Sequence, residues 1–408
     1  MKKLLFLVGS FSILTTPVST IVSCGGKSNT LRIAFVPSRN ATDILKTVKP
    51  LEEKLKNKLK EKDSSFNKNV EITAATNYEA AGDSMKKGKS DLAFLPINTY
   101  ESYRGDIKED GTYSKAGILL VSSRESLAAE SNFEEFKTNG KFDDAKAKAE
   151  SNGDNLAKLS KNYDQIIENI LKDEDSFNKE KLTEKLYNKD EKVSYYRSYI
   201  YANKKFIKDT LGEEDFRSKE NAKKLIKKAS EDKKLSLGGS PTSSASVLYP
   251  LLWMKEHLGL DNNELKNIYE NKYKQASYTD AAEKVSNGTV ELAVGYADIR
   301  YDINDPTKMK DAYKNTQTIG ASRGIPNDGI MYSRETVDET LANNLRESFL
   351  ELVADKANSE IFDIYSHKGY VGVGSKTSIE YEKEQDQIIT DNLKSISIIQ
   401  DLLKEITS

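Results

Sequence analysis

The residues best suited to chemistry in this chain are hydroxyls. Gly238-Gly239-Ser240-Pro241-Thr242-Ser243-Ser244-Ala245-Ser246 reads as a strand end, two glycines that admit a ligand close to the backbone, then hydroxyls opening a helix. Free backbone N–H groups and the positive end of a helix dipole favour an anion at such a place, and the hydroxyls add donors. A plain N-cap cluster would use the same residues, since Ser and Thr cap helices everywhere. Four further stretches border apolar strands, where open α/β sheets place ligands. They are Ala75-Thr76-Asn77-Tyr78, Ser194-Tyr195-Tyr196-Arg197-Ser198, Gly295-Tyr296-Ala297-Asp298 and Ile325-Pro326-Asn327-Asp328-Gly329. Each alone reads as a loop, and they gain weight only together.

Covalent chemistry has little to work with. Serine catalysis needs a histidine base, and the chain has 2 histidines, His257 and His367. Both are expected at helix C-termini, where they complement the dipole. Neither a Walker loop nor a dinucleotide fingerprint follows Gly238-Gly239. One cysteine and two histidines give no metal site, and no cofactor is expected. The chain therefore reads as a binder and not an enzyme, with a phosphate-ester hydrolase as the disfavoured alternative.

The single cysteine, Cys24, sits behind a basic start (Met1-Lys2-Lys3), an apolar run from Leu4 to Leu14, and the stretch Ile21-Val22-Ser23. That order is a secretory signal peptide, too short in its core to span a membrane. Ile21-Val22-Ser23-Cys24 resembles a bacterial lipobox. Cleavage is expected after residue 23, with Cys24 lipidated and residues 24–30 forming a polar leash on the extracytoplasmic face. Acyl chains would then supply the membrane affinity.

The elements that must position these residues alternate. Strands are expected at Leu31–Pro37, Val70–Thr76, Asp91–Pro96, Gly117–Ser123, Tyr199–Asn203, Leu235–Gly239, Val290–Tyr296 and Gly329–Ser333, with helices between them. That order predicts α/β lobes built on mostly parallel sheets. Residues 124–191 differ: 29 of 68 are charged, about 43%, against 31% for the whole chain. A helical stripe of Leu156, Leu159, Tyr163, Ile166 and Ile170 runs through them. The segment reads as an insertion with one docked face, peripheral to ligand binding, or as a solvated spacer.

In this order the segments LRIAFVPSRNATDILKTVKPLEEKL, EITAATNYEAAGDSMKKGKSDLAFLPINTY, SYYRSYIYANKK, GSPTSSASVLYPLLWMKEHLG, SYTDAAEKVSNGTVELAVGYADIR and GIPNDGIMYSRE resemble the substrate-binding proteins of phosphonate, phosphite and phosphate ABC importers. The resemblance covers most of 31–122 and 192–350. It implies a two-lobed periplasmic-binding-protein-like fold of type 2. Each lobe would be a mixed, mostly parallel sheet flanked by helices, with hinge strands between lobes. The expected division is lobe 1 over 31–123, the insertion over 124–191, lobe 2 over 192–297, and a return to lobe 1 over 298–408. The implied ligand contacts are Tyr78, Tyr196, Ser243 and Ser244, with Tyr278 where a histidine is usual. Asp298 stands where the family can carry Glu, and Asp328 matches an acid on the returning strand. Similar enlargements occur in lipoproteins of wall-less bacteria that bind thiamine pyrophosphate, whose ring would stack on Tyr78 or Tyr196.

The implied partners are a small anionic phosphorus-containing ligand and an ABC permease, for a monomer tied to the cell membrane by lipid alone. Lys+Arg 62 against Asp+Glu 64 offers no global field for nucleic acid. A surface adhesion lipoprotein is the competing reading from another class.

Overall fold

A computed structural model describes residues 29–36, 41–131, 133, 152–172, 177–363, 367–370 and 373–407. Cys24, the expected signal segment and most of the expected leash lie outside the described residues.

Strands β1 (Thr30–Phe35), β2 (Asn69–Ala74), β3 (Leu92–Leu95) and β4 (Ala116–Leu127) begin a first sheet. Strands β5 (Tyr187–Val193), β13 (Gly329–Ser333) and β14 (Gly369–Tyr370) complete it, in the order β14-β4-β13-β3-β1-β2 with β5 on β4. One face packs against the helix Pro50–Lys62 through Leu51, Leu55 and Leu59, and against Glu339–Ala354 through Leu345 and Phe349. Pro50 opens the first of these, at the position where a missing N–H costs nothing.

The second sheet has the order β11-β7-β10-β8-β9, with β7 at Ser198–Asn203, β8 at Leu235–Leu237, β9 at Tyr273–Lys274, β10 at Leu292–Tyr296 and β11 at Thr316–Ala321. Between the sheets runs a two-stranded ribbon, β6 (Tyr195–Tyr196) antiparallel to β12 (Ile325–Pro326), with Tyr196 opposite Ile325. These are the crossing strands of a two-lobed molecule.

The sheets are mixed, as expected, with a larger antiparallel share than a mostly parallel sheet would have. Parallel pairing is confined to β1–β2, β1–β3, β10–β8 and β8–β9, whereas β13 and β4 run antiparallel to their neighbours. The reason is the double crossing: β13 enters the first sheet from the hinge, opposite to strands that started inside the lobe. The boundary expected at 297 also moves. β11 still belongs to the second sheet, so the return begins with β12 near residue 325.

The described parts of the 124–191 segment are integrated into both lobes. The segment's first residues prolong β4, and β5 folds back on them, Arg124 opposite Val193. The helix Gly153–Lys172 docks on β11, burying Leu156, Leu159, Tyr163, Ile167 and Ile170, with Ile167 taking the place expected for Ile166. Polar groups fix that docking: Ser160 Oγ donates to the Thr318 carbonyl (2.9 Å), and Asp164 accepts from the Thr318 N–H (2.8 Å).

The 30-residue helix Ser378–Thr407 lies against both lobes. Tyr381 Oη accepts from the Val121 N–H of β4 (2.8 Å) and Asp386 pairs with Arg104 (3.1 Å). On the other lobe, Tyr249 hydrogen-bonds Asn392.

Candidate functional site

Loop 238–243 leads from β8 into a helical run that begins as a π-turn at Ser244–Leu248 and continues as an α-helix over Tyr249–Glu256. A side chain at Gly238 would place its Cβ 2.1 Å from Ser246 Oγ, so only glycine lets the strand end lie against this turn. Ser243 and Ser246 exchange a hydroxyl hydrogen bond at 2.6 Å, and the hydroxyl of Tyr278, the first residue of helix Tyr278–Asn287, lies close to both. Gly295 makes room for Tyr278, whose ring stands 2.7 Å from the position of an added Cβ, and the ring of Tyr296 meets it edge-on at 4.7 Å. Three hydroxyls, of Ser243, Ser246 and Tyr278, thus converge beside the helix start.

Tyr196 on the hinge ribbon lies among Asp328, Tyr278, Arg124 and Tyr78. Burial pushes its phenol up, and Asp328 adds to that while Arg124 opposes it. Asp328 is placed by its neighbours: Asn327 donates its amide to the carbonyls of Ser122 (2.9 Å) and Val193 (3.2 Å), and the Asp328 carbonyl accepts from Ser122 N–H (3.0 Å). Burial raises the Asp328 carboxyl, with Arg124 pulling the other way, and its Oδ1 is shut from solvent with no hydrogen-bond partner. A buried acceptor without a partner is costly, so this oxygen suits a donor brought by a ligand, such as P–OH.

Two polar ties join the lobes at this cleft. Asn98 Nδ2 donates to Ser244 Oγ at 2.6 Å. Glu79 Oε1 accepts from Ser240 and Thr242, each at 2.7 Å. Burial works to raise the Glu79 carboxyl, and the two hydroxyls outweigh it and hold it low.

The predicted residues therefore divide. Tyr78, Tyr196, Ser243, Tyr278 and Asp328 come together, and Ser244 joins them with its oxygen engaged by Asn98. Asp298 does not. It is fully buried, its carboxylate 2.6 Å from Arg300 and 2.7 Å from the Tyr163 hydroxyl of the insertion helix. Its position in the chain suggested a ligand contact, but its charge is neutralised inside the second lobe.

The histidines are also not dipole partners. His257 caps a helix end, but burial lowers it to about 4, so it is neutral there. His367 is buried beside Phe94, ring centroids 5.7 Å apart, and burial lowers it to about 3. Sequence reasoning missed Glu79, Asn98 and Arg124, and quoted Ser246 within the hydroxyl run without naming it as a contact. For Ser246 the signal was present, a third serine one helical turn behind Ser243.

Adjoining Tyr196 is a cavity of about 520 Å³, lined by Arg124, Tyr187, Tyr196, Tyr296, Tyr301 and Asp302 among others. Arg124 and Tyr187 come from the 124–191 segment, which here stands against the hinge and not at the periphery.

Among the described residues, no His/Cys/Asp/Glu group is arranged to hold a metal, and no helix is long and apolar enough to cross a membrane.

Comparison with known proteins agrees with the two-lobed fold. Residues 185–376, a little under half of the chain, match the family of ABC-transporter phosphonate periplasmic substrate-binding proteins. No curated protein sequence matches. Among solved structures, the chain is similar to Mh-p37 of Mycoplasma hyorhinis, described as a proposed thiamine pyrophosphate transporter. The TM-score is 0.56 at 15% identity, covering 88% of this chain and 98% of that one. It is also similar to PhnD1 of Prochlorococcus marinus in complex with methylphosphonate, TM-score 0.50 at 13% identity, covering 90% and 99%. At such identity these two likenesses speak for the two-lobed fold.

Proposed function

We propose that this chain, whose residues 185–376 belong to the phosphonate-binding family of ABC-transporter substrate-binding proteins, captures a phosphonate- or phosphate-type anion between its lobes and delivers it to a membrane permease. The observation that carries this reading is the convergence of the Ser243, Ser246 and Tyr278 hydroxyls beside the unpartnered Oδ1 of Asp328. Three donors and one acceptor suit a tetrahedral oxyanion that bears one P–OH: its P–O⁻ oxygens accept from the hydroxyls and its hydrogen goes to Asp328. Tyr278, where the family usually has histidine, keeps a donor in place without adding a positive charge.

Lobe closure then excludes water. The Glu79 and Asn98 ties form only when the lobes meet, so a ligand that bridges the lobes favours the closed form by its differential affinity. The anchor in this reading is Cys24, and Cys24→Ala should abolish detergent-phase partitioning in a lipoprotein-processing bacterium.

Thiamine pyrophosphate is a second reading, favoured by the size and tyrosine lining of the adjoining cavity. A thermal-shift panel of methylphosphonate, inorganic phosphate and thiamine pyrophosphate tests both, because a ligand that binds only the folded state raises the melting temperature. A protein that no member of the panel stabilises would fit the adhesion alternative instead.

A further inference from the structure

Tyr196 borders two spaces, the hydroxyl cluster and the cavity of about 520 Å³ on the insertion side. That volume corresponds to roughly seventeen waters at ~30 Å³ each, far more than a methylphosphonate fills. It falls in the range of pockets that take organic ligands.

The charges around this cavity are mostly paired within the protein. Glu125 meets Lys192 at 3.3 Å, Glu130 meets Arg197 at 2.9 Å, and Asp363 meets Lys368 at 2.5 Å. Arg124 is different. Among the described residues it has no carboxylate partner; its guanidinium lies over the Tyr196 ring at 4.5 Å, and its Nε is shut from solvent without an acceptor. A guanidinium presents a rigid fork of donors that matches a carboxylate or phosphoryl group. The rings of Tyr187, Tyr296 and Tyr301 supply apolar wall around it, and the Thr183 hydroxyl, 3.0 Å from Tyr301 Oη, ties the insertion's side of the wall to the second lobe.

We infer that the insertion turns the cleft into a two-anion site. The phosphoryl group sits on the Ser243–Ser246–Tyr278 hydroxyls, a second acidic group of the same ligand pairs with Arg124, and the carbon skeleton between them lies along the tyrosines. The ligand class is an organophosphorus compound bearing a second carboxylate or phosphoryl group. This inference rests on the function proposed above.

The test is calorimetric titration of the full soluble chain with methylphosphonate and with a ladder of ω-carboxyalkyl phosphonates of increasing length. At least one rung should bind about tenfold or more tighter than methylphosphonate, the gain expected of one charged contact. Arg124→Gln should erase that gain, bringing every rung level with methylphosphonate measured on the same variant. Tyr187→Ala, which keeps the guanidinium, should cause the same selective loss and so guards against a folding defect in the arginine variant. Methylphosphonate binding with no preferred rung, or an equal loss for every ligand in Arg124→Gln, would overturn the two-anion site alone. Failure of methylphosphonate and of every rung would overturn the transport reading and this inference with it.

Discussion

Asn98 of the first lobe donates to Ser244 of the second across 2.6 Å, and both side chains are buried. Asn98 lies in the first turn of the helix Ile97–Tyr103 behind β3 and Ser244 opens the helical run behind β8, so the tie joins two helix starts, one from each lobe. With the Glu79 contacts to Ser240 and Thr242, it holds the cleft shut over the hydroxyl cluster.

Glu79→Ala should loosen that closure. Hydrogen bonds to a charged group contribute about 1.5–3 kcal/mol each, so a loss of about tenfold or more in ligand affinity is expected. Small-angle scattering of the ligand-free variant should show a larger radius of gyration than wild type. Equal radii and equal affinities would mean that Glu79 does not couple the lobes.

Asp298→Asn should act on stability and not on binding. The carboxylate is enclosed with Arg300 and Tyr163, and breaking a buried pair from one side costs about 3–5 kcal/mol. Denaturant unfolding should register that loss, while the folded fraction retains wild-type affinity for methylphosphonate. Weakened binding at unchanged stability would return Asp298 to the ligand site.

Leu159→Ala tests whether the insertion helix is part of the second lobe. Leu159 is fully buried against that lobe, and emptying such a site costs about 2–5 kcal/mol. A change near zero in the unfolding free energy would mark the helix as a detachable appendage.

Glu382 sets a pH dependence. Burial pushes its carboxyl up to about 7, against the pull of Arg334 and the Tyr332 hydroxyl. A group held above its ordinary 4.5 contributes stability below that value, and the contribution is lost as pH rises through about 7. His257 and His367 have the opposite sign, since both are lowered, and they remove stability only as pH falls below 6.5. Between pH 8 and 6.5 Glu382 therefore dominates these groups. The melting temperature should rise on acidification across that window, and Glu382→Gln should flatten the rise. An unchanged slope in the variant would exclude Glu382 as its source.

The strand and helix rhythm was legible because buried strands such as Leu92–Leu95 are apolar throughout, and because the helices carry one-sided stripes. The hydroxyl run behind Gly238-Gly239 was legible for a local reason: glycine, serine and a helix start announce themselves within nine residues. Strand direction was not, since it depends on how often the chain crosses the hinge. Nor was the fate of Asp298, whose partner Arg300 is close in sequence but whose burial depends on Tyr163 of the insertion helix. Arg124 was hidden for the same reason. Its surroundings exist only once β5 folds back on β4 and Tyr187 closes the cavity.

The account stands most directly on calorimetric titration of methylphosphonate into wild type and into the Ser243→Ala/Tyr278→Phe double variant. Wild type should bind saturably at one site. The double variant should bind about tenfold or more weakly, because two hydrogen bonds to a charged group are gone, with residual binding through backbone N–H groups at the helix start. No saturable heat in wild type, or equal affinity in the double variant, would contradict the hydroxyl cluster as the anion site.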